Sequence, residues 1–215
     1  MVNDQAMTAF PRMAVILPEA EQGLARIQHL ALEGEAARRA NYVAGEYIPT
    51  PPGAYALLFI KSESGSSTCM MSDLSYERAT CLEVVERAHG NVLIAGLGLG
   101  MILHPILQKP EVETVTVVEK FPDVIALVSP SLPASSKLAI IIGDIFEWVP
   151  RPGARYDVIW FDIWPDIAVT RLAEMAALHR RLTPYLRTEN PACWMESWHR
   201  RESERILSRG DGPSA

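Results

Sequence analysis

Cysteine is scarce in these 215 residues, and the three present, Cys69, Cys81 and Cys193, share no CxxC spacing. An odd count without ligand spacing argues against a disulfide framework and a zinc site, so no metal is expected and a reducing, cytoplasmic setting is. Long hydrophobic runs are also missing. None approaches the roughly 20 apolar residues that span a bilayer, so no membrane partner is expected. Met1 to Arg12 lacks the charged-then-apolar order of a secretory signal. Positive charge is in deficit: 20 Lys and Arg against 26 Asp and Glu give a net charge of −6, the wrong sign for a protein that coats nucleic acid. A local basic groove stays open, because Arg180, Arg181, Arg187, Arg200, Arg201, Arg205 and Arg209 crowd the C-terminal quarter. The usual explanation of such a run is a solvated face.

What remains is an ordinary globular composition, 48% hydrophobic and 21% charged, at a length that suits one domain with a modest appendage. Leu24, Ile27, Leu30 and Ala31 recur at three- and four-residue spacings, which predicts a helix over Pro18 to Val43. Pro49, Pro51, Pro52 and Gly53 then break it. Ala54 to Ile60 and Ser67 to Met71 flank Glu63-Ser64-Gly65-Ser66 and read as a β-hairpin. Tyr76 to Ala88 reads as a second amphipathic helix, stopped at His89-Gly90.

From Asn91 the rhythm changes to strand, loop, helix. Strands are expected at Asn91–Ala95, Glu113–Val118, Leu138–Ile142, Tyr156–Phe161 and Ala192–Ser197. Helices are expected at Met101–Gln108, Pro122–Val128 and Ile167–Leu182. Apolar strands alternating with helices imply an α/β, Rossmann-like, mostly parallel sheet with helices on both faces, preceded by an N-terminal helix and β-hairpin. The expected organisation is a helical segment and linker over 1–53, the hairpin and helix over 54–90, a cofactor-binding domain over 91–208, and a tail over 209–215.

The first of these strands runs into Gly96-Leu-Gly-Leu-Gly100, a tight turn whose bare backbone can lie against a ligand. The second ends on Glu119, 23 residues after Gly96. A carboxylate there can accept both hydroxyl protons of a ribose, so a nucleoside cofactor is expected. Gly143-Asp144-Ile145 follows the third strand and Asp162-Ile163-Trp164-Pro165-Asp166 the fourth. Ligands of open α/β sheets bind at these carboxyl ends. Dinucleotide binding calls for a further glycine three residues after Gly98, where this chain has Met101.

On these residues the stretch 91–165 resembles class I S-adenosylmethionine-dependent methyltransferases, and among them the spermidine-synthase-like branch. The piece Met71-Ser-Asp-Leu-Ser-Tyr-Glu-Arg78 after a hairpin is similar to that branch too. The resemblance implies S-adenosylmethionine as cofactor. Gly96, Gly98 and Gly100 would cradle its methionine part, Glu119 its ribose, and Asp144 its adenine amino group, with Ile145 as an apolar contact. Asp162 would face the methionine amine or the reacting centre and is the first candidate for a general base. Trp164 would wall the substrate or stabilise the sulfonium charge through its ring, the alternative being a large side chain plugging the sheet end. Asp166 reads as a helix N-cap and His104 as a helix-surface residue.

Aminopropyltransferases of the branch carry Asp-Ser/Thr-Ser/Thr-Asp-Pro after the fourth strand. Here Ile163 and Trp164 stand in the middle and Pro165 replaces the second aspartate. Methyl transfer to an unidentified acceptor is therefore the first expectation. Aminopropyl transfer from decarboxylated S-adenosylmethionine, or a non-catalytic S-adenosylmethionine-binding module, are the alternatives. Few residues follow the fifth strand, so either the N-terminal hairpin completes the sheet or a partner, such as a second copy in a homo-oligomer, covers its open edge.

Overall fold

The computed structural model describes residues 8–36, 42–43, 46–47 and 50–209. A short helix, α1 (Met13–Ile16), leads into the strands β1 (Ala20–Gln22) and β2 (Ala25–Leu32). The helix expected over Pro18–Val43 is thus replaced by an antiparallel hairpin, and residues 37–41 lie outside the described chain. The reason lies in burial. Leu24 and Leu30, two of the residues that made the helical stripe, are exposed, whereas Ala25 and Ile27 point inward with the two-residue period of a strand. The turn at Gly23-Leu24 is docked by the Leu24 amide, which donates to the Asp123 carboxylate at 3.0 Å.

A small pair follows, β3 (Tyr42–Val43) with β4 (Glu46–Tyr47). The expected hairpin is then found as β5 (Gly53–Lys61) and β6 (Ser67–Ser72). These strands build a four-stranded antiparallel sheet in the order β1-β2-β5-β6. The helix expected over 76–88 is broken at Cys81 into α2 (Ser75–Thr80) and α3 (Leu82–Arg87).

Then come β7 (Gly90–Ala95), α4 (Leu103–Gln108), β8 (Val112–Glu119), α5 (Pro122–Val128), β9 (Leu138–Ile142), β10 (Val158–Phe161), α6 (Leu172–Leu182), β11 (Trp194–Ser197) and α7 (Arg200–Arg209). Pro105 falls in the first turn of α4, where its missing N–H has no helical partner to lose. The five strands pair in parallel in the order β11-β10-β7-β8-β9. Every residue of β10, and Val92 to Ala95 of β7, is buried, as a central strand covered on both faces requires. The N-terminal hairpin does not extend this sheet; it belongs to the antiparallel one.

One apolar cluster joins the two sheets, running from Met13, Ile27 and Leu58 to Val92, Ile94 and Trp160. A buried ion pair fastens the same junction. Arg78 Nη2 lies 2.9 Å from Asp73 Oδ2, and its other N–H groups donate to the carbonyls of Phe10, Pro11 and Asp73. Asp73 accepts in turn from the amides of Met13 and Ala56, each at 2.7 Å. Every partner is satisfied, which is the condition for keeping such a pair inside a protein.

Candidate active site

Strand order reverses at β7, whose neighbours are β8 on one side and β10 on the other. The registers bring Ala95 level with Val118 and with Phe161. The residues after them therefore emerge together: Gly96, Glu119 and Asp162, with Gly143 beyond β9. These four line one cavity of about 240 Å³. It lies where open parallel sheets take their ligands.

The glycine turn is shaped by close approach. Gly96 and Gly98 have φ of 93° and 53°, conformations that L side chains avoid. A β-carbon on Gly96 would collide with the Asp162 carbonyl oxygen, and one on Gly98 with the Met71 sulfur. Gly100 does not reach the cavity and packs instead toward Val128 and Leu132.

Glu119 is 5% exposed and takes part in the turn's architecture. Its Oε2 accepts the Leu97 amide at 2.7 Å and its Oε1 the Phe121 amide at 2.8 Å. Burial raises its pKa, and those amide bonds pull the other way without cancelling the rise. Asp144 accepts the Phe146 amide at 2.9 Å and pairs with Lys120 Nζ at 2.9 Å. Partial burial works against its ionisation, but Lys120 and the amide together hold the carboxyl below its ordinary range. Ile145 is buried beside it and also lines the cavity. Arg181 supports this turn by donating to the carbonyls of Ile145 and Trp148.

Asp162 has no ion-pair partner among the described residues. Burial pushes its carboxyl up to about 7. Trp164 lines neither this cavity nor its neighbour. It is buried in the cluster under α6, and its indole N–H donates to Glu174 at 2.9 Å. Met175 and Leu178 of α6 belong to the same buried cluster as this ring. Asp166 is no cap for α6, which starts six residues later; it pairs with Arg171. His104 is half-buried away from both cavities.

Sequence reasoning missed the opposite wall. Leu58 and Ile60 of β5 and Met70 and Met71 of β6 close the crevice over the glycine turn. The Met71 sulfur accepts the Leu99 amide at 3.2 Å. The two methionines also line a second cavity of about 300 Å³, shared with Tyr76, Glu77, Asp166 and Trp198. Residues 54–60 read as one strand of a hairpin, but nothing local said that this strand would meet residues 96–98. Among the C-terminal arginines, Arg187, Arg200, Arg201 and Arg205 are engaged with Asp157, Glu196, Glu204, Glu83 and Glu202, which removes most of the basic groove.

No protein-family model matches this sequence, and no curated protein does either. Solved structures do. The N-methyltransferase NodS from Bradyrhizobium japonicum WM9 is 16% identical over 62% of this chain and 82% of its own, with a TM-score of 0.44. The CcbJ methyltransferase from Streptomyces caelestis is 19% identical over 54% and 46%, with a TM-score of 0.43. Spermidine synthase from Thermotoga maritima is 17% identical over 61% and 49%, with a TM-score of 0.40. These neighbours are two methyltransferases and a spermidine synthase. This chain spans about half the length of the last two. Likenesses of this depth assign no role to any residue here.

Proposed function

We propose that this chain binds S-adenosylmethionine in the first cavity and transfers its methyl group to an acceptor. The observation that carries the reading is Glu119, a buried carboxylate at the end of the second parallel strand that faces the same crevice as Gly96, Gly98, Asp144 and Asp162. Each of its oxygens takes one backbone amide, and a carboxylate oxygen has a second lone pair, so two ribose hydroxyls can still be accepted. Gly96 and Gly98 leave backbone open to the methionine part. Asp144 accepts from the adenine amino group, sharing its Oδ2 with Lys120, while Ile145 packs on the ring.

When bound, S-adenosylmethionine supplies a methyl group on a positively charged sulfur, open to in-line displacement. The chain's own task is then alignment and dryness. Leu58, Ile60, Met70 and Met71 keep water from one side of the crevice. Asp162, titrating near neutrality, can take a proton from the incoming nucleophile, as a general base must.

Calorimetric titration with S-adenosylhomocysteine tests the reading. Losing one charge-assisted contact costs about 1.5–3 kcal/mol, so Glu119→Gln should bind about 10- to 100-fold more weakly. No binding by the wild type, or equal binding by the variant, would remove the assignment.

A second reading has one observation in its favour. Among the described residues Lys120 is the one cationic side chain lining either cavity, and it sits at the Asp144 end. Among the described residues no cation lines the part of the cavity left for the methionine carboxylate, which suits the decarboxylated donor and aminopropyl transfer. Stronger thermal stabilisation by decarboxylated S-adenosylmethionine than by the methyl donor would select this reading; the reverse order rejects it.

A further inference from the structure

One edge of the parallel sheet is guarded and the other is not. At the β11 edge, pairing turns the backbone groups of Trp194 and Glu196 toward β10 and leaves those of Met195 and Ser197 outward. The Ser197 amide donates there to the Glu196 carboxylate at 3.0 Å, and Arg200 and Arg201 hold that carboxylate as a charged cover. β9 ends the sheet on the other side. Its neighbour β8 takes one alternating set of groups: the Val115 amide donates to the Lys137 carbonyl at 2.8 Å, and the Gly143 amide to the Glu119 carbonyl at 2.9 Å. Ile140 and Ile142 therefore turn both backbone groups away from the sheet, where no strand of the described chain meets them.

Leu138-Ala-Ile-Ile-Ile142 carries none of the devices that keep a sheet edge from pairing. It has no charge and no proline, and its register with β8 is unbroken, so no bulge twists it aside. Apolar surface gathers at the same place. Ile142, Phe146 and Val149 are 64%, 42% and 66% exposed, and they are three of the seven large hydrophobic side chains that the described residues leave exposed. Their concentration within 142–149, beside an open edge, marks an association surface.

We propose that β9 pairs antiparallel with β9 of a second copy about a two-fold axis at Ile140, joining two five-stranded sheets and covering the Phe146 end of the first cavity. Charge selects that occupant. Lys137 precedes the strand, while Asp144 and the exposed Glu147 follow it. Lys120 offsets Asp144, which leaves Glu147 to make that end acidic. Antiparallel self-pairing lays the basic start of one copy along the acidic end of the other, whereas a parallel arrangement would set like against like. The two-fold also closes: Leu138 of each copy meets Ile142 of the other, so pairing stops at two chains. The same edge reaches the site. Gly143, Asp144, Ile145 and Phe146 follow β9 directly and line the first cavity, so Phe146 is at once a wall of the crevice and part of the exposed patch. A partner seated there keeps water from that wall; this part of the inference rests on the reading of the cavity as the S-adenosylmethionine site.

Sedimentation velocity of the full chain over about 1–100 μM tests the pairing. The wild type should shift to a species of twice the chain mass as concentration rises, and no further. Ile142→Lys puts a charge on the edge through a side chain already in water, so the circular dichroism spectrum should hold while the dimer dissociation constant rises about tenfold or more. Val149→Lys should weaken the dimer as well, and it carries the test if Ile142→Lys does not fold. Val15→Lys, at a still more exposed apolar side chain on α1, should leave the dimer unchanged. A monomeric wild type, open-ended larger assemblies, or an equal loss in Val15→Lys overturns the proposal. Ile142 does not line the cavity, so monomeric Ile142→Lys should bind S-adenosylhomocysteine about fivefold or more weakly only through loss of the partner's cover. Unchanged affinity in that monomer overturns the cover. A dimeric wild type that binds no S-adenosylhomocysteine removes the cofactor reading and leaves the interface standing.

Discussion

Replacing Glu77 with glutamine should make the protein more stable at alkaline pH and change little near pH 5. In the folded chain burial holds the carboxyl at about 8, whereas in the unfolded chain it returns to roughly 4.3. Between those values the folded state carries a proton that the unfolded state has released. Stability therefore falls as pH rises through that window, by at most about 1.4 kcal/mol per pH unit, and levels off above it. The window spans between three and four units, which sets a ceiling of about 5 kcal/mol; water in the adjoining cavity lowers it, so about 2–4 kcal/mol is expected. Glutamine has no charge to bury and keeps an oxygen for the Ser72 amide and hydroxyl, which both donate to the Glu77 carboxyl. At roughly 2–4 °C per kcal/mol for a chain of this size, the melting temperature of Glu77→Gln should exceed wild type by about 4–16 °C at pH 9 and converge with it near pH 5. Calorimetric melts from pH 5 to 9 measure this directly. Parallel curves, or a less stable variant at pH 9, would show that Glu77 is not held uncharged by burial.

Three further outcomes follow from the same structure. Arg78→Met leaves Asp73 buried without its cation and should cost about 3–5 kcal/mol in urea unfolding, with Asp73→Asn in the same background recovering part of it; a loss under 1 kcal/mol would contradict the anchoring role. Gly98→Ala meets both a left-handed backbone and the Met71 sulfur, so S-adenosylhomocysteine affinity should fall at least tenfold, and unchanged affinity would separate the turn from the ligand. Trp164→Phe removes the donor to Glu174 but keeps most of the plug; it should lower stability by about 1–2 kcal/mol and leave cofactor affinity unaltered, whereas a weakened affinity would restore the ring to the site.

The parallel half of the fold was legible because its signals are strong and local. Val92 to Ala95 and Val158 to Phe161 are buried on both faces and so read as continuous apolar runs, and α5 announces itself with Pro122 at its first position. The stretch 18–43 misled for the opposite reason. Its exposed Leu24 and Leu30 drew a helical stripe, while the small Ala25, fully buried, carries almost no signal. Glu119, Asp144 and Asp162 could be placed at one end of the sheet from the sequence because each ends or follows one of its strands, and all three line the same cavity. Trp164 was ambiguous from composition alone, and the structure buries it in the cluster that holds Met175 and Leu178 of α6.

The most direct test of the account is a crystal structure of the chain soaked with S-adenosylhomocysteine. It should show both ribose hydroxyls within hydrogen-bond distance of the Glu119 carboxylate, the adenine beside Ile145 with its amino group on Asp144, and the sulfur facing Asp162. A ligand bound elsewhere, or one whose ribose turns away from Glu119, would contradict it.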